Sequence, residues 1–457
     1  MFGKRKNIDM TQGVIWRQLS AYAIPILIGE LFQLLYTTVD SITVGNFVGA
    51  GALAAIGASE TIVKVLVGFF NGMEVGFTVG VARFFGARDQ QGLDRAVNGV
   101  LQLGLLLGLA ISAGGLLITG QILRMMDTPE TLMAEARTYL TIYFAGALGF
   151  VLYNTAAAVL KAVGDVRTPL RCLLISSGVN IVLDLVMVIV FRMGVAGVAY
   201  ATIFSQWVAA FIALRTMTRC GDIFTLDPRR YRLDGDTAAL FLRLGIPTGF
   251  QKTITAMSNV LVLSRITFFG EACLAGWTVY NKLDHIMTVF AQSIGSALST
   301  FVSQNLGAGQ YRRLEKGVRV TSLGGAGLFL LISSAIVLLR QPLVRVFGSD
   351  AEMIYYGERF VLYITFFKLS ALMMNVYAAA LRGTGRMTLV TVIMLSGIVV
   401  FRQIYLLFIT AVANNPWLVG MSYPAGWTFA AGVLMAIYLL RIRPSWRESG
   451  RLNGGSF

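Results

Sequence analysis

Residues 24–45 read IPILIGELFQLLYTTVDSITVG. The stretch is long enough to cross a bilayer as a helix, yet it carries Glu30, Gln33, Tyr36, Thr37 and Asp40. At about 100° per residue these polar side chains gather on one face, with most of the leucines, isoleucines and valines elsewhere. A carboxylate well inside such a span is costly against lipid, so it turns to protein or water and marks a functional site by default. Asp40 is that carboxylate. The alternative is that it lies at the outer end of the span and simply touches water.

The rest of the chain has the same character. Of its 457 residues 56% are hydrophobic and 13% charged, and the mean hydropathy is +0.70. Apolar runs recur from end to end, the signature of an all-α polytopic membrane protein. Twelve transmembrane helices are expected, centred near Leu31, Val67, Leu106, Ala145, Ser177, Phe204, Thr253, Thr288, Leu328, Phe366, Val399 and Leu434. The net charge of +15 does not form one nucleic-acid-binding patch. It is spread over alternate connections: Arg83, Arg88 and Arg95; Lys161, Arg167 and Arg171; Arg229, Arg230 and Arg232; Arg312, Arg313 and Lys316; Arg382 and Arg386. With Lys4, Arg5 and Lys6 at one end and Arg441, Arg443 and Arg447 at the other, the positive-inside rule puts both termini in the cytoplasm. No short cleavable signal precedes the first span.

Enzymatic and metal-centred classes find little support. Cys172, Cys220 and Cys273 are scattered without CxxC spacing, and His285 is the single histidine. No GxxxxGK[ST] loop occurs, and Asp40 and Asp184 lack the glycine flanks of an intramembrane aspartyl protease. No enzyme and no cofactor is expected.

The chain is internally duplicated. VARFFGAR (81–88) recurs as VSQNLGAG (302–309), Asn154 with Leu160, Lys161 and Gly164 recurs as Asn375 with Leu381, Arg382 and Gly385, and Ile24-Pro25 recurs as Ile246-Pro247. The offset stays near 221 residues. Six spans per copy make the two repeats parallel, an arrangement that usually places a substrate route between two bundles. The expected division is an N-terminal six-helix bundle over 1–217, a cytoplasmic linker over 218–237, a C-terminal six-helix bundle over 238–441 and a cytoplasmic tail over 442–457.

The fifth span supplies a second acid. Asn180 and Asp184 are one helical turn apart, and Thr202 and Gln206 repeat that spacing on the sixth span. If Asp40 packs against these spans, two carboxylates, an amide oxygen and a hydroxyl suit a hard cation or a shared proton. Asp184 could instead bond a neighbouring backbone near the membrane edge. Gln33, Tyr36, Tyr139 and Asn154 are placed around the same first-half cavity. The second span carries Glu60, Lys64, Asn71, Glu74 and Thr78 along one face; its repeat partner carries Asn281, Lys282, Asp284, His285 and Gln292. Lys252 and Lys368 stand alone on the seventh and tenth spans, either to attract anionic groups or to pair with acids elsewhere. Lys252, Lys282 and His285 are the weaker second-half cavity candidates.

With these residues in place the chain resembles the MATE (multidrug and toxic compound extrusion) family over nearly its whole length. The resemblance rests on PILIGELFQ from Pro25, the TVD ending at Asp40, VARFFGAR and the glycine-containing turn after the fourth span. It is similar to the prokaryotic branch whose coupling acid lies in the first helix. That resemblance implies a V-shaped two-bundle architecture, a cation site at Asp40, Asn180, Asp184 and Thr202 (metal ligands where the coupling ion is Na⁺), and Gln33, Tyr36, Tyr139 and Asn154 around it. It also implies a bend of the first helix at Pro25. Another branch uses acids in the seventh and tenth spans, where this chain has Lys252 and Lys368; Leu261 or Val262 stands at the repeat position of Asp40. The expectation is a secondary active antiporter of the plasma (cytoplasmic) membrane, exporting amphipathic organic compounds in exchange for Na⁺ or H⁺. Its partners would be a small organic solute and the lipid bilayer, with no nucleic acid and no obligate protein partner, the chain acting as a monomer. The alternative is a lipid-linked or polysaccharide flippase of the same broad superfamily.

Overall fold

The computed structural model describes residues 7–48, 50–413 and 415–452, without the side chains of 35–46, 50, 52, 53, 61 and 452. The side chains of Tyr36 and Asp40 therefore lie outside the described residues. The described chain is helical apart from residues 7–14, the stretch 218–234 and short connections: α1 (Ile15–Phe47), α2 (Ala50–Ala87), α3 (Gln90–Met125), α4 (Glu130–Ala162), α5 (Arg167–Leu185), α6 (Gly194–Met217), α7 (Gly235–Thr267), α8 (Glu271–Gly307) and α9 (Tyr311–Leu338). The tenth, eleventh and twelfth spans are Ala351–Gly383, Met387–Val412 and Pro416–Arg451. Among the described residues ten helical runs are long and apolar enough to cross a membrane. The helices α1 and α7, 33 residues each, are the two further long runs.

The duplication is visible in the backbone. Gly164 and Gly385 both adopt a φ of +85°. After α4, Asp165 N donates to Leu160 O and Gly164 N to Lys161 O; after the tenth span, Arg386 N donates to Leu381 O and Gly385 N to Arg382 O. Each is a Schellman ending, which needs a left-handed residue that glycine adopts without steric cost.

Contacts divide the chain into two compact units. The first comprises the segment ending at Asp9 together with Ile24–Gly249; the second comprises Met10–Ala23 together with the chain from Phe250 onward. The change of unit therefore falls inside helices, whereas the sequence places it in the linker at 218–237. Helix α1 changes unit between Ala23 and Ile24, beside Pro25, and α7 between Gly249 and Phe250, beside Pro247.

The reason is packing. In the first unit α2 presents Gly72, Gly76 and Gly80 at four-residue spacing, and the start of α7 lies directly on them. A Cβ at Gly76 would sit 2.5 Å from Leu244 O, and one at Gly72 2.5 Å from Thr248 O. Small residues at that spacing let two helix backbones touch. The stretch 223–233 is in turn held on α3. Asp94 Oδ1 accepts from Thr225 N (2.7 Å), Asn98 Oδ1 from Asp227 N (3.0 Å) and Gln102 Oε1 from Leu233 N (3.0 Å). Asp234 then caps α7 by accepting from Thr237 N (2.6 Å), and those hydrogen bonds hold its carboxyl below the usual carboxylate range.

In the second unit the start of the chain is clamped by side chains. Met10 is fully buried; its N–H donates to Gln304 Oε1 (3.0 Å), and its carbonyl accepts from Asn305 Nδ2 (3.0 Å) and Arg313 Nε (3.1 Å). Tyr22 and Thr300 share a hydroxyl–hydroxyl bond of 3.0 Å. Glu315 of α9, the repeat position of Asp94, binds Arg443 (Nη2 2.6 Å) and Arg447 (Nη2 2.8 Å) near the end of the twelfth span.

Candidate functional site

In the first unit Asn180 and Asp184 of α5 are both buried, each 2% exposed, on the helix where the sequence predicts them. Neither amide atom of Asn180 has a hydrogen-bond partner among the described residues. A buried amide in that condition is a ready ligand, because its desolvation is not yet offset. On α6 the Thr202 hydroxyl donates to Val198 O (3.0 Å), which leaves its oxygen lone pairs free to accept or to ligate.

Helix α1 lies against α5 here, since a Cβ at Gly29 would be 3.4 Å from Leu173 Cδ2. Gln33 is half-buried on α1. Tyr139 of α4 is buried and stacks on Tyr143, with centroids 6.3 Å apart. Asn154 is buried too, but its Nδ2 donates to Phe150 O of its own helix (2.8 Å). Tyr139 and Asn154 are four turns apart on α4, roughly 22 Å at 1.5 Å per residue. They can line one long cavity, and an ion-sized site cannot hold both. Among the described residues no three His, Cys, Asp or Glu side chains gather into a metal-binding group. Deeper in the same unit Lys161 and Glu74 form an ion pair of 2.5 Å, and the expected Glu60–Lys64 pair is present at 3.1 Å on the surface.

The second unit concentrates buried basic groups. Lys368, 3% exposed, pairs with Asp284 Oδ1 (2.6 Å), donates to Thr288 Oγ1 (3.0 Å) and lies 4.2 Å from the centroid of the Trp427 ring. Tyr280 donates to the same carboxylate (2.8 Å). Of the two roles open to Lys368, pairing with an acid is the one realised. The residue next to Asp284, His285, is exposed, as is Lys282, which rests over the Phe347 ring at 5.2 Å. Lys252 is half-buried on α7.

Two arginines complete the set. Arg382 donates to Gln251 Oε1 (2.8 Å), and its Nε is buried without a partner. Arg402 of the eleventh span, 1% exposed, donates from Nη1 to Asn259 Oδ1 (2.8 Å) and from Nη2 to Ser258 Oγ (2.5 Å). Its guanidinium lies 4.7 Å from the centroid of the Tyr423 ring, and its Nε has no hydrogen-bond partner. Among the described residues neither arginine has a carboxylate partner. Arg402 is not among the residues predicted from the sequence, although a lone arginine inside IMLSGIVVFRQIYLLFIT (393–410) is as conspicuous as Asp40 in its own span.

A family model described as MatE matches residues 25–186 and 247–407, one match in each repeat and together well over half of the chain. The chain belongs to the MatE family. It is a multi-pass membrane transporter and not an enzyme. Among curated relatives, the "Probable multidrug resistance protein YpnP" of Bacillus subtilis (strain 168) is 31% identical over 79% of this chain and 81% of its own length. A "FAD transporter" of Shewanella oneidensis is 22% identical over 76% of this chain and 78% of its own. Among solved structures, the outward-facing conformation of a multidrug resistance MATE family transporter of the MOP superfamily superposes with a TM-score of 0.90. That structure is 22% identical and the match covers 97% of this chain and 99% of that one. The MatE fold thus spans almost the whole chain.

Proposed function

We propose that this protein is a secondary active exporter, in which inward flow of Na⁺ or H⁺ drives outward movement of an amphipathic organic solute. The relatives named for multidrug resistance support the export reading. The observation that carries the coupling site is the register of α1 on α5. Gly29 faces Leu170 and Leu173, and eleven residues further along two parallel helices brings position 40 level with the turn from Ile181 to Asp184. Asp40, Asn180, Asp184 and Thr202 then form the coupling-ion site, with Gln33, Tyr36, Tyr139 and Asn154 lining the cavity around it.

The mechanism follows from these groups. Two desolvated carboxylates raise each other's proton affinity, so one proton, or one Na⁺ held by the oxygen set, relieves their repulsion. Pro25 lacks an N–H, so α1 bends there at low cost. It stands where α1 passes from one unit to the other, and a bend there moves the ends of α1 relative to each other. A monovalent ion crossing the membrane gains about 2.3 kcal/mol per 100 mV, enough for a roughly fiftyfold solute gradient at one-to-one charge coupling. Both termini lie in the cytoplasm in this reading.

The test is ethidium efflux from proteoliposomes under separately imposed Na⁺ and H⁺ gradients. One gradient accelerates efflux in the wild type, and Asp40→Asn abolishes the acceleration. Unchanged acceleration in the variant sinks the coupling site.

A second reading, a flippase for lipid-linked or polysaccharide substrates, is favoured by one observation, the buried Arg402 and half-buried Arg382 of the second unit. Such substrates carry phosphates, and vesicle-trapped anionic lipid would then move faster than ethidium.

A further inference from the structure

The second unit holds more buried positive charge than it can balance. Lys368 is matched by Asp284. Arg402 is not matched: its described partners are a serine hydroxyl, an asparagine oxygen and the face of a tyrosine, all neutral. A guanidinium stays protonated even when buried, and a buried charge without a counter-charge is strongly unfavourable. Tyr423 and the two oxygens reduce that cost without neutralising it.

The placement is informative. With Pro247 aligned on Pro25, Ser258 and Asn259 occupy the positions of Tyr36 and Thr37 on α1. Arg402 aligns with Ile181 on α5, between Asn180 and Asp184. The junction of α7 with the eleventh span is therefore the repeat counterpart of the α1–α5 junction, with an arginine in place of acids. We infer that Arg402, with Ser258, Asn259 and Gln403, is an anion-binding site of the second unit, taking a carboxylate or phosphate group.

The geometry suits this. Gln403 Nε2 donates to the same Ser258 Oγ (3.1 Å), which orients the hydroxyl beneath the guanidinium. Asn259 is exposed, so the partner of Nη1 is a neutral amide at the edge of the unit that an anionic oxygen can displace. The planar fork then binds the anion through two parallel N–H donors. The inference rests on the exporter reading only for what the anion belongs to, the transported solute; binding itself needs no export.

The experiment uses the full chain in phosphatidylcholine nanodiscs, titrated with carboxyfluorescein, an anionic amphipathic dye, and read by anisotropy. Wild type binds saturably, Arg402→Gln weakens binding by about tenfold or more, and Arg402→Lys falls between them because the ammonium keeps the charge without the fork. Ethidium binding is equal in all three, which also shows that the variants are folded. A second arm replaces gluconate by chloride. A melting temperature raised by chloride in wild type and not in Arg402→Gln assigns the site to a free inorganic anion as well; no such rise assigns it to the organic group alone. Equal carboxyfluorescein binding in wild type and Arg402→Gln overturns the inference, as does the absence of saturable binding of both anions to wild type. Anion binding without any efflux would instead overturn the exporter reading and leave this site standing.

Discussion

The two units are copies of one six-helix design that differ in their buried charge. In the first, Lys161 is neutralised by Glu74 across α4 and α2, and α5 adds Asp184. In the second, the same positions hold Arg382 and Gly295, and the eleventh span, the repeat of α5, carries Arg402 one position on from the counterpart of Asn180. Backbone features such as the paired Schellman endings survived the divergence. Packing requirements preserve the fold, while the buried charges differ between the two copies.

The largest effect expected is at the ion pair. Removing one partner of a half-buried pair leaves a poorly compensated charge, so Glu74→Gln should lower stability by about 3 kcal/mol, the low end for a buried pair, read as a fall in melting temperature. Glu74→Gln combined with Lys161→Met should recover most of it. The mirror experiment sharpens the comparison. A Cβ at Gly295 meets nothing closer than 3.6 Å, so Gly295→Glu gives Arg382 the carboxylate that Lys161 already has and should raise the melting temperature. A fall would mean that Arg382 is adequately held by Gln251.

Next comes the glycine stripe. Gly76→Val forces α2 off α7 and should cost about 1–3 kcal/mol. At the repeat position α8 has Ala297, and Ala297→Gly should cost only about 0.5–1 kcal/mol through lost helix propensity. Equal losses would show that the two units pack their first helices alike. The smallest effect is at the straps. Asp94→Asn loosens the stretch 223–233, and Glu315→Gln loosens the end of the twelfth span, each by about 1 kcal/mol because the amide oxygen still accepts hydrogen bonds and only the charge is lost. Limited trypsin digestion should cut faster at Arg229 or Arg230 in the first variant and at Arg447 in the second, since Pro444 protects the bond after Arg443.

Much of this is legible in the sequence because membrane helices are written in long apolar runs, and a duplication repeats its turn glycines. Asn180 and Asp184 stand out because a polar side chain inside such a run is costly unless it meets protein or water. The unit boundary is not legible. A hydrophilic linker reads as a division, yet here 223–233 is tied down by Asp94, Asn98 and Gln102, and the change of unit depends on which helix face finds the glycines of α2. Nor is the partner of Lys368 legible, since Asp284 lies far away in sequence. Arg402 becomes legible once a basic residue inside a span is weighed as heavily as an acidic one.

In the proposed reading each unit keeps a charge-specific site at the same junction, for the coupling cation in the first and for an anionic group in the second. The direct test sets Asp184→Asn beside Arg402→Gln and measures two quantities in each, gradient-driven acceleration of ethidium efflux and carboxyfluorescein binding. Asp184→Asn is expected to lose the acceleration and keep anion binding, and Arg402→Gln to do the reverse. Either variant losing both, or neither, would contradict that reading.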